Sequence, residues 1–163
     1  MKMISVFSPV RILKLINFWP PYFFSGIRVV SVSSAVDEIT VKKTSRFWNQ
    51  NYFGTHFGGS LYAMCDPFFV FILLHKLKED HIVWDIGAEI DFIKAVKGPV
   101  TATFKIEKQQ VESLREQCLK SFKVEPWFST EIKDSQGNLV AQVRKKLYVR
   151  RKDAKERFQQ KPV

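Results

Sequence analysis

The chain has 163 residues, 45% of them hydrophobic and 14% aromatic, enough apolar material for the core of one domain. Its formal charge of +10 favours an anionic partner, whether nucleic acid, acidic lipid or a phosphate-bearing small molecule, and does not choose among them. Two cysteines, Cys65 and Cys118, are too few for a disulfide framework and suit a reducing compartment, so a cytoplasmic location is expected.

Ile4, Phe7, Arg11, Lys14 and Phe18 recur at threes and fours, which predicts a short amphipathic helix packed over the end of the domain. Its second reading is a basic anchor on a membrane surface. Arg11 and Lys14 interrupt the apolar run and no small-x-small cleavage pattern follows, so the segment is expected to stay with the mature protein. Trp19-Pro20-Pro21-Tyr22 ends that helix, because proline disfavours helical backbone at the residue before it. No run of about 18 uncharged apolar residues is present, so no bilayer-spanning segment is expected. From Gly26 the period shortens to two: Ile27, Val29 and Ser31 alternate with Arg28, Val30 and Val32. Glu38 to Lys43 continues the strand pattern after a turn around Ser33 to Asp37.

The stretch from Asn51 to Leu77 organises the rest. A polar, glycine-rich loop feeds a segment that is apolar on nearly every side, which predicts a helix buried inside the protein. One carboxylate, Asp66, lies within it. It must be paired, open to a pocket or used chemically, since an isolated charge in apolar surroundings neutralises instead. Pro67 removes the bond to the Ala63 carbonyl and predicts a kink there. His75, Lys76 and Lys78 mark the helix end.

Beyond it, Trp84, Ile86, Ala88, Ile90 and Phe92 share one predicted strand face, and Asp85, Glu89 and Asp91 the other. After Gly98-Pro99, Val100, Ala102, Phe104 and Ile106 alternate with Thr101, Thr103, Lys105 and Glu107. Ser113 to Lys123 loses the two-residue period and reads as a short helix or an irregular excursion. Trp127 to Lys133 and Leu139 to Arg150 form a hairpin across the turn-type sequence Asp134 to Asn138. The charged tail beyond Arg150 is expected to fray. This order predicts an α+β hot-dog fold, an antiparallel sheet of about six strands wrapped around one long central helix. The expected divisions are an N-terminal helix and proline-rich lead-in (1–25), the hot-dog domain (26–152) and a charged tail (153–163).

Asn51-x-x-Gly54-Thr55-x-x-Gly58-Gly59-x6-Asp66 resembles the signature of hot-dog acyl-CoA thioesterases of the phenylacetate-pathway and mammalian small-thioesterase type. The chain is more similar still to a thioesterase-like branch of that superfamily, the domain of unknown function 4442 type. That similarity is carried by Pro20-Pro21, Gly54-Thr55-x-Phe57-Gly58-Gly59-Ser60-Leu61-Tyr62, Asp66-Pro67 and Tyr148-Val149-Arg150-Arg151-Lys152, and it covers residues 18 to 152. One departure stands out: the His that those thioesterases carry before Gly-Gly is Phe57 here, with His56 one place earlier.

The resemblance implies an acyl-CoA hydrolase. Asp66 would be general base or nucleophile, Asn51 would orient the water or substrate, and Gly58 with Gly59 would offer backbone N–H groups to the developing oxyanion. Thr55, His56 and Phe57 would contact substrate, and Asp66 would serve the partner's Gly58 in an obligatory homodimer or a tetramer. Among the basic residues, Arg144, Lys145, Lys146, Arg150, Arg151 and Lys152 are candidates for steering the phosphates of coenzyme A. No cofactor is expected beyond the coenzyme A of the substrate, and three scattered His give no metal spacing.

Plainer readings stand beside these. Asp66-Pro67 could only cap a helix, Ser60 could be the cap after Gly58-Gly59, and His75 and His81 could be solvated. Cys65 in apolar sequence is a poor nucleophile. The functional alternatives are a non-catalytic acyl-CoA or lipid-binding hot-dog module and, more remotely, a basic protein of membrane surfaces or nucleic acid. The hydrolase reading expects no nucleic acid and leaves room for peripheral membrane contact.

Overall fold

The computed structural model describes residues 9–159. Six strands form one antiparallel sheet: β1 (Ile27–Val32), β2 (Glu38–Lys43), β3 (His81–Phe92), β4 (Val100–Lys105), β5 (Trp127–Asp134) and β6 (Leu139–Arg151). Their spatial order is β1-β2-β4-β5-β6-β3, so β1 and β3 are the edges. The helices are α1 (Pro9–Leu15), α2 (Pro20–Ser25), α3 (Gly58–Ala63), α4 (Phe68–Leu77), α5 (Lys108–Lys120) and α6 (Ala154–Gln159).

The sheet curls around α3 and α4. Phe68, Phe69, Val70, Ile72, Leu73 and Leu77 of α4 are all buried, which is why that segment shows no polar stripe. Phe104 of β4 lies 5.0 Å from the Phe68 ring and 5.2 Å from Phe69, and Phe69 stacks on Phe128 of β5 at 5.3 Å. By length and hydropathy the stretch Gly58–Asp80 could cross a membrane, but it is the core of the domain and is enclosed by the strands. The central helix is interrupted between Ala63 and Phe68, a wider break than the kink that Pro67 predicts.

Four local expectations change. Trp19 ends the first helical segment, but Pro20 then occupies the first turn of α2, where its missing N–H costs nothing. The excursion after β4 is a regular helix that starts at Lys108, with Glu107 and Gln110 forming a reciprocal cap. The tail forms α6 on buried Ala154. His81 is buried, and its Nδ1 lies 3.2 Å from the Leu77 carbonyl oxygen. The first half of the amphipathic segment, Met1 to Ser8, lies outside the described residues.

The correction that matters for function is on β3. The register against β6 shifts between Asp85 and Gly87. This bulge adds one residue and divides the two-residue alternation into two phases. Before it, His81 and Val83 are buried while Trp84 and Ile86 are exposed, so Asp85 falls on the inner face rather than the outer. Trp84 lies flat against the outward Tyr148 ring at 4.4 Å.

Candidate active site at the break in the central helix

The inward phase of β6 runs Ala141, Val143, Lys145, Leu147, Val149, all buried. Lys145 is therefore a lysine in a core position, and it needs anions. It lies 3.3 Å from Asp66 Oδ1 and 3.3 Å from Asp85 Oδ1, and it donates to the Tyr62 hydroxyl at 3.2 Å. Asp66, by contrast, keeps 49% of its side chain exposed. The break between α3 and α4 thus presents a carboxylate to solvent, backed by a second carboxylate and a buried ammonium.

Burial alone would depress the Lys145 pKa, but attraction to Asp66, the Tyr62 hydroxyl and Asp85 outweighs it and raises the value. One ammonium does not offset two carboxylates. Burial, and then the hydrogen bond shared with Asp66, push Asp85 up to about 6 against the pull of Lys145. The neighbouring Tyr22 hydroxyl is buried without a hydrogen-bond partner among the described residues, and burial holds its proton far more tightly than usual. Cys65, wholly buried, is pushed up to about 12 by burial and is inert as a nucleophile.

The capping readings fail on geometry. Neither α3 nor α4 has a side-chain cap, so Asp66 caps nothing, and the Ser60 hydroxyl donates back to the Phe57 carbonyl at 2.7 Å.

Around the start of α3 the loop residues gather at a second place. Asn51, Thr55, His56 and Gly58 line a cavity of about 240 Å³ together with Leu61, Phe92, Ile93 and Val96. The Gly58 and Gly59 N–H groups have no partner among the described residues. An added Cβ would sit 3.0 Å from the exposed Phe92 ring at Gly58 and 2.5 Å from the exposed Phe57 ring at Gly59, so a side chain at either place would need that ring to turn aside.

Asn51 is fully committed within the loop. Its Nδ2 donates to Thr55 Oγ1 at 2.8 Å and to the His56 carbonyl at 3.2 Å, while its Oδ1 accepts from the Phe53 and Thr55 N–H groups. His56 is turned inward. The Gly98 carbonyl, 2.7 Å from Nε2, can only accept, so Nε2 carries the hydrogen and Nδ1 accepts from Lys43 Nζ at 2.7 Å. Burial lowers the pKa of both groups, that of Lys43 to about 8.

The basic residues of β6 separate by face. Arg144 pairs with Glu89, Lys146 with Glu125 and Arg151 with Asp153, whereas Lys145 faces the core. Arg150 lies over the Phe122 ring, with Nε and Nη1 lacking partners among the described residues.

Asp66 and Gly58, which the sequence signature joins, belong to different surroundings in a single chain, since Asp66 does not line the Gly58 cavity. Asp85 and Tyr62 are the residues that sequence reasoning missed, and Lys145, expected to steer phosphates, lies instead in the core between two carboxylates. Gly87, an isolated glycine in a strand pattern, is the signal that could have revealed the bulge and hence the inward turn of Asp85.

An antiparallel sheet wound about a broken apolar helix, with a glycine-rich loop at the helix start, defines a hot-dog fold protein. The family model described as "Domain of unknown function (DUF4442)" matches residues 10–149, and the chain belongs to that family. Among solved structures it is similar to PA5026 of Pseudomonas aeruginosa, a protein of unknown function described as a probable thioesterase (TM-score 0.75, 15% identity, 88% of this chain and 97% of that one). It is also similar to the thioesterase HI1161 of Haemophilus influenzae (TM-score 0.64, 15% identity, 90% and 93%). A third is OLEI01261 of Chlorobaculum tepidum, of unknown function (TM-score 0.71, 14% identity, 87% and 94%). A sequence comparison with curated proteins gives no match.

Proposed function

We propose that the protein hydrolyses acyl thioesters, acyl-CoA in particular, as a homodimer whose sites each take groups from both copies. One observation carries the reading: the Asp66 carboxylate interrupts an apolar helix, caps nothing, stands half open and is backed by Asp85 and Lys145. A thioester carbonyl needs an attacking oxygen and a place for its developing negative charge. Asp66 either takes the proton of the attacking water or adds to the carbonyl itself, forming an anhydride that water then opens. In both routes the carbonyl oxygen becomes the oxyanion received by the partner's Gly58 and Gly59 N–H groups, and the thiolate of coenzyme A leaves.

In this reading Asn51 holds the loop that presents those amides rather than touching the water, as its saturated hydrogen bonding favours. Thr55 and His56 shape the cavity wall, Phe57 covers Gly59, and the acyl group lies along Leu61, Phe92 and Ile93. Arg150, whose Nε and Nη1 are buried without partners among the described residues, would have to swing outward to meet a phosphate, and Arg151 would have to share its guanidinium with Asp153. The saturated Asn51 and the Phe at position 57 favour a second reading, an acyl-CoA binder without turnover.

Thiol release from a panel of acyl-CoA esters separates the two. Hydrolysis predicts that Asp66→Asn lowers kcat by about a hundredfold or more with binding retained. Tight acyl-CoA binding with no turnover that depends on Asp66 establishes the binder.

A further inference from the structure

A second concentration of chemistry lies on the outer side of α2 and the opposite edge of the sheet, in a groove that Asp66 does not line. Arg28 of β1 faces Lys42 of β2 across their register pair, and together with Arg46 and the exposed Val30 they line a groove of about 440 Å³. None of these three cations forms an ion pair among the described residues. Aromatic rings flank the groove: Phe23 and Phe24 from α2, and Phe47 and Trp48 from the turn after β2. The two segments are tied by the Trp48 indole N–H donating to the Phe24 carbonyl at 3.0 Å. Phe24 is 63% exposed and Phe47 86%. Leaving such rings in water is costly, and the proposed chemistry uses none of them.

We propose that this face docks on an anionic lipid bilayer, its aromatic rings entering the headgroup region and its cations meeting lipid phosphates and carboxylates. Exposed apolar rings around unpaired Arg and Lys are what an interfacial anchor needs, and the chain's +10 charge draws it toward such a surface. Single-stranded nucleic acid also selects aromatics with cations, but it requires ring faces that successive bases can stack on. Here Phe23 meets Phe24 edge-on at 88°, and Phe47 meets Trp48 edge-on at 88°, so neighbouring faces form no platform. The face is separate from the Asp66 site, and the inference stands whether or not the protein hydrolyses thioesters.

The test is flotation of the 163-residue chain, and of its Asp66→Asn variant, with vesicles of phosphatidylcholine alone or with phosphatidylserine. Both proteins should float with the phosphatidylserine vesicles and progressively less as salt is raised. Phe24→Asp combined with Phe47→Asp should lower the vesicle affinity by about tenfold or more. Arg28→Glu combined with Lys42→Glu should remove the phosphatidylserine preference. Lys108→Glu with Lys120→Glu, the same charge change on α5, should weaken flotation far less. Circular dichroism melts matching the wild type establish that each variant is folded. The proposal is overturned if the wild-type chain floats with neither vesicle, if the aromatic variant floats as well as wild type, if the α5 variant loses binding equally, or if the chain holds a single-stranded oligonucleotide and no vesicle.

Discussion

Asp85 reaches Asp66 because one extra residue in β3 turns it inward, and its environment there sets a titration that can be followed. While Asp85 keeps its proton it can donate that hydrogen to the Asp66 carboxylate, occupying lone pairs that the proposed base needs. Above about 6 Asp85 ionises and that donor is lost, which leaves the Asp66 oxygens beside Lys145 open to accept from water. Turnover of an acyl-CoA ester should therefore rise with pH through a step near that value, and Asp85→Asn should erase the step. An unaltered pH profile in the variant would remove Asp85 from the mechanism. Stability carries the opposite sign. The folded chain holds a proton between the ordinary value of 3.8 and about 6 that the unfolded chain has released, so stability falls as pH rises across that window. The urea midpoint of the wild type should decline there, and that of Asp85→Asn should stay more nearly level.

At the scale of the elements, α4 has no side-chain cap at its start and takes donors from Arg115 and His81 on its last carbonyls, while a ladder of rings seats its body. Phe104 is fully buried between Phe68 and Phe69. Phe104→Ala should cost about 3–5 kcal/mol, read from equilibrium urea unfolding, because the surrounding strands cannot collapse into the space. A loss under about 1 kcal/mol would mean that the helix is seated by something else. The elements themselves were largely legible in the sequence. The strands of the β1–β2 and β5–β6 hairpins announce themselves by period, and the buried helix by its lack of a polar side. Three parts were not legible, each because tertiary context overrides a local pattern. A bulge inverted the phase of Asp85; Lys145 in an inward β6 position looks like any residue of a basic strand; and His56 became a buried acceptor for Lys43, which only the fold brings to it. Asp66 stands out in the sequence by its incongruity, whereas Asp85 and Lys145 come beside it only through the fold.

For the whole molecule, the two edges of the sheet are unlike. β1 is six residues long with a register shift after Val29, which blunts it against pairing. β3 is twelve residues long, and apolar Trp84, Ile86 and Phe92 stand exposed along it. A long strand with a free edge is a template for a second strand, and two copies related by a twofold axis would pair β3 with β3 antiparallel. Ile82 and Phe92 lie about 30 Å apart along β3 at the usual rise per residue. Such a pairing would carry the end of β3 and β6 that holds Arg150 toward the partner's Gly58 cavity and Asp66 of one copy toward the loop of the other, which is the junction the proposed mechanism requires. Gly58→Pro removes one of the proposed oxyanion N–H donors and suits the first helical position, since Phe57 already has extended backbone. Asp66→Asn and Gly58→Pro should each be nearly inactive alone. Mixed under conditions that allow subunits to exchange, they should recover about a quarter of wild-type turnover, because half the dimers then pair an intact Asp66 with an intact Gly58 at one of their two sites. Ile86→Asp, placing a charge on the shared edge strand outside the acyl cavity, should yield monomers in sedimentation and abolish that recovery. Full activity in a monomer, or no recovery from a mixture shown to exchange, would return both halves of the site to a single chain.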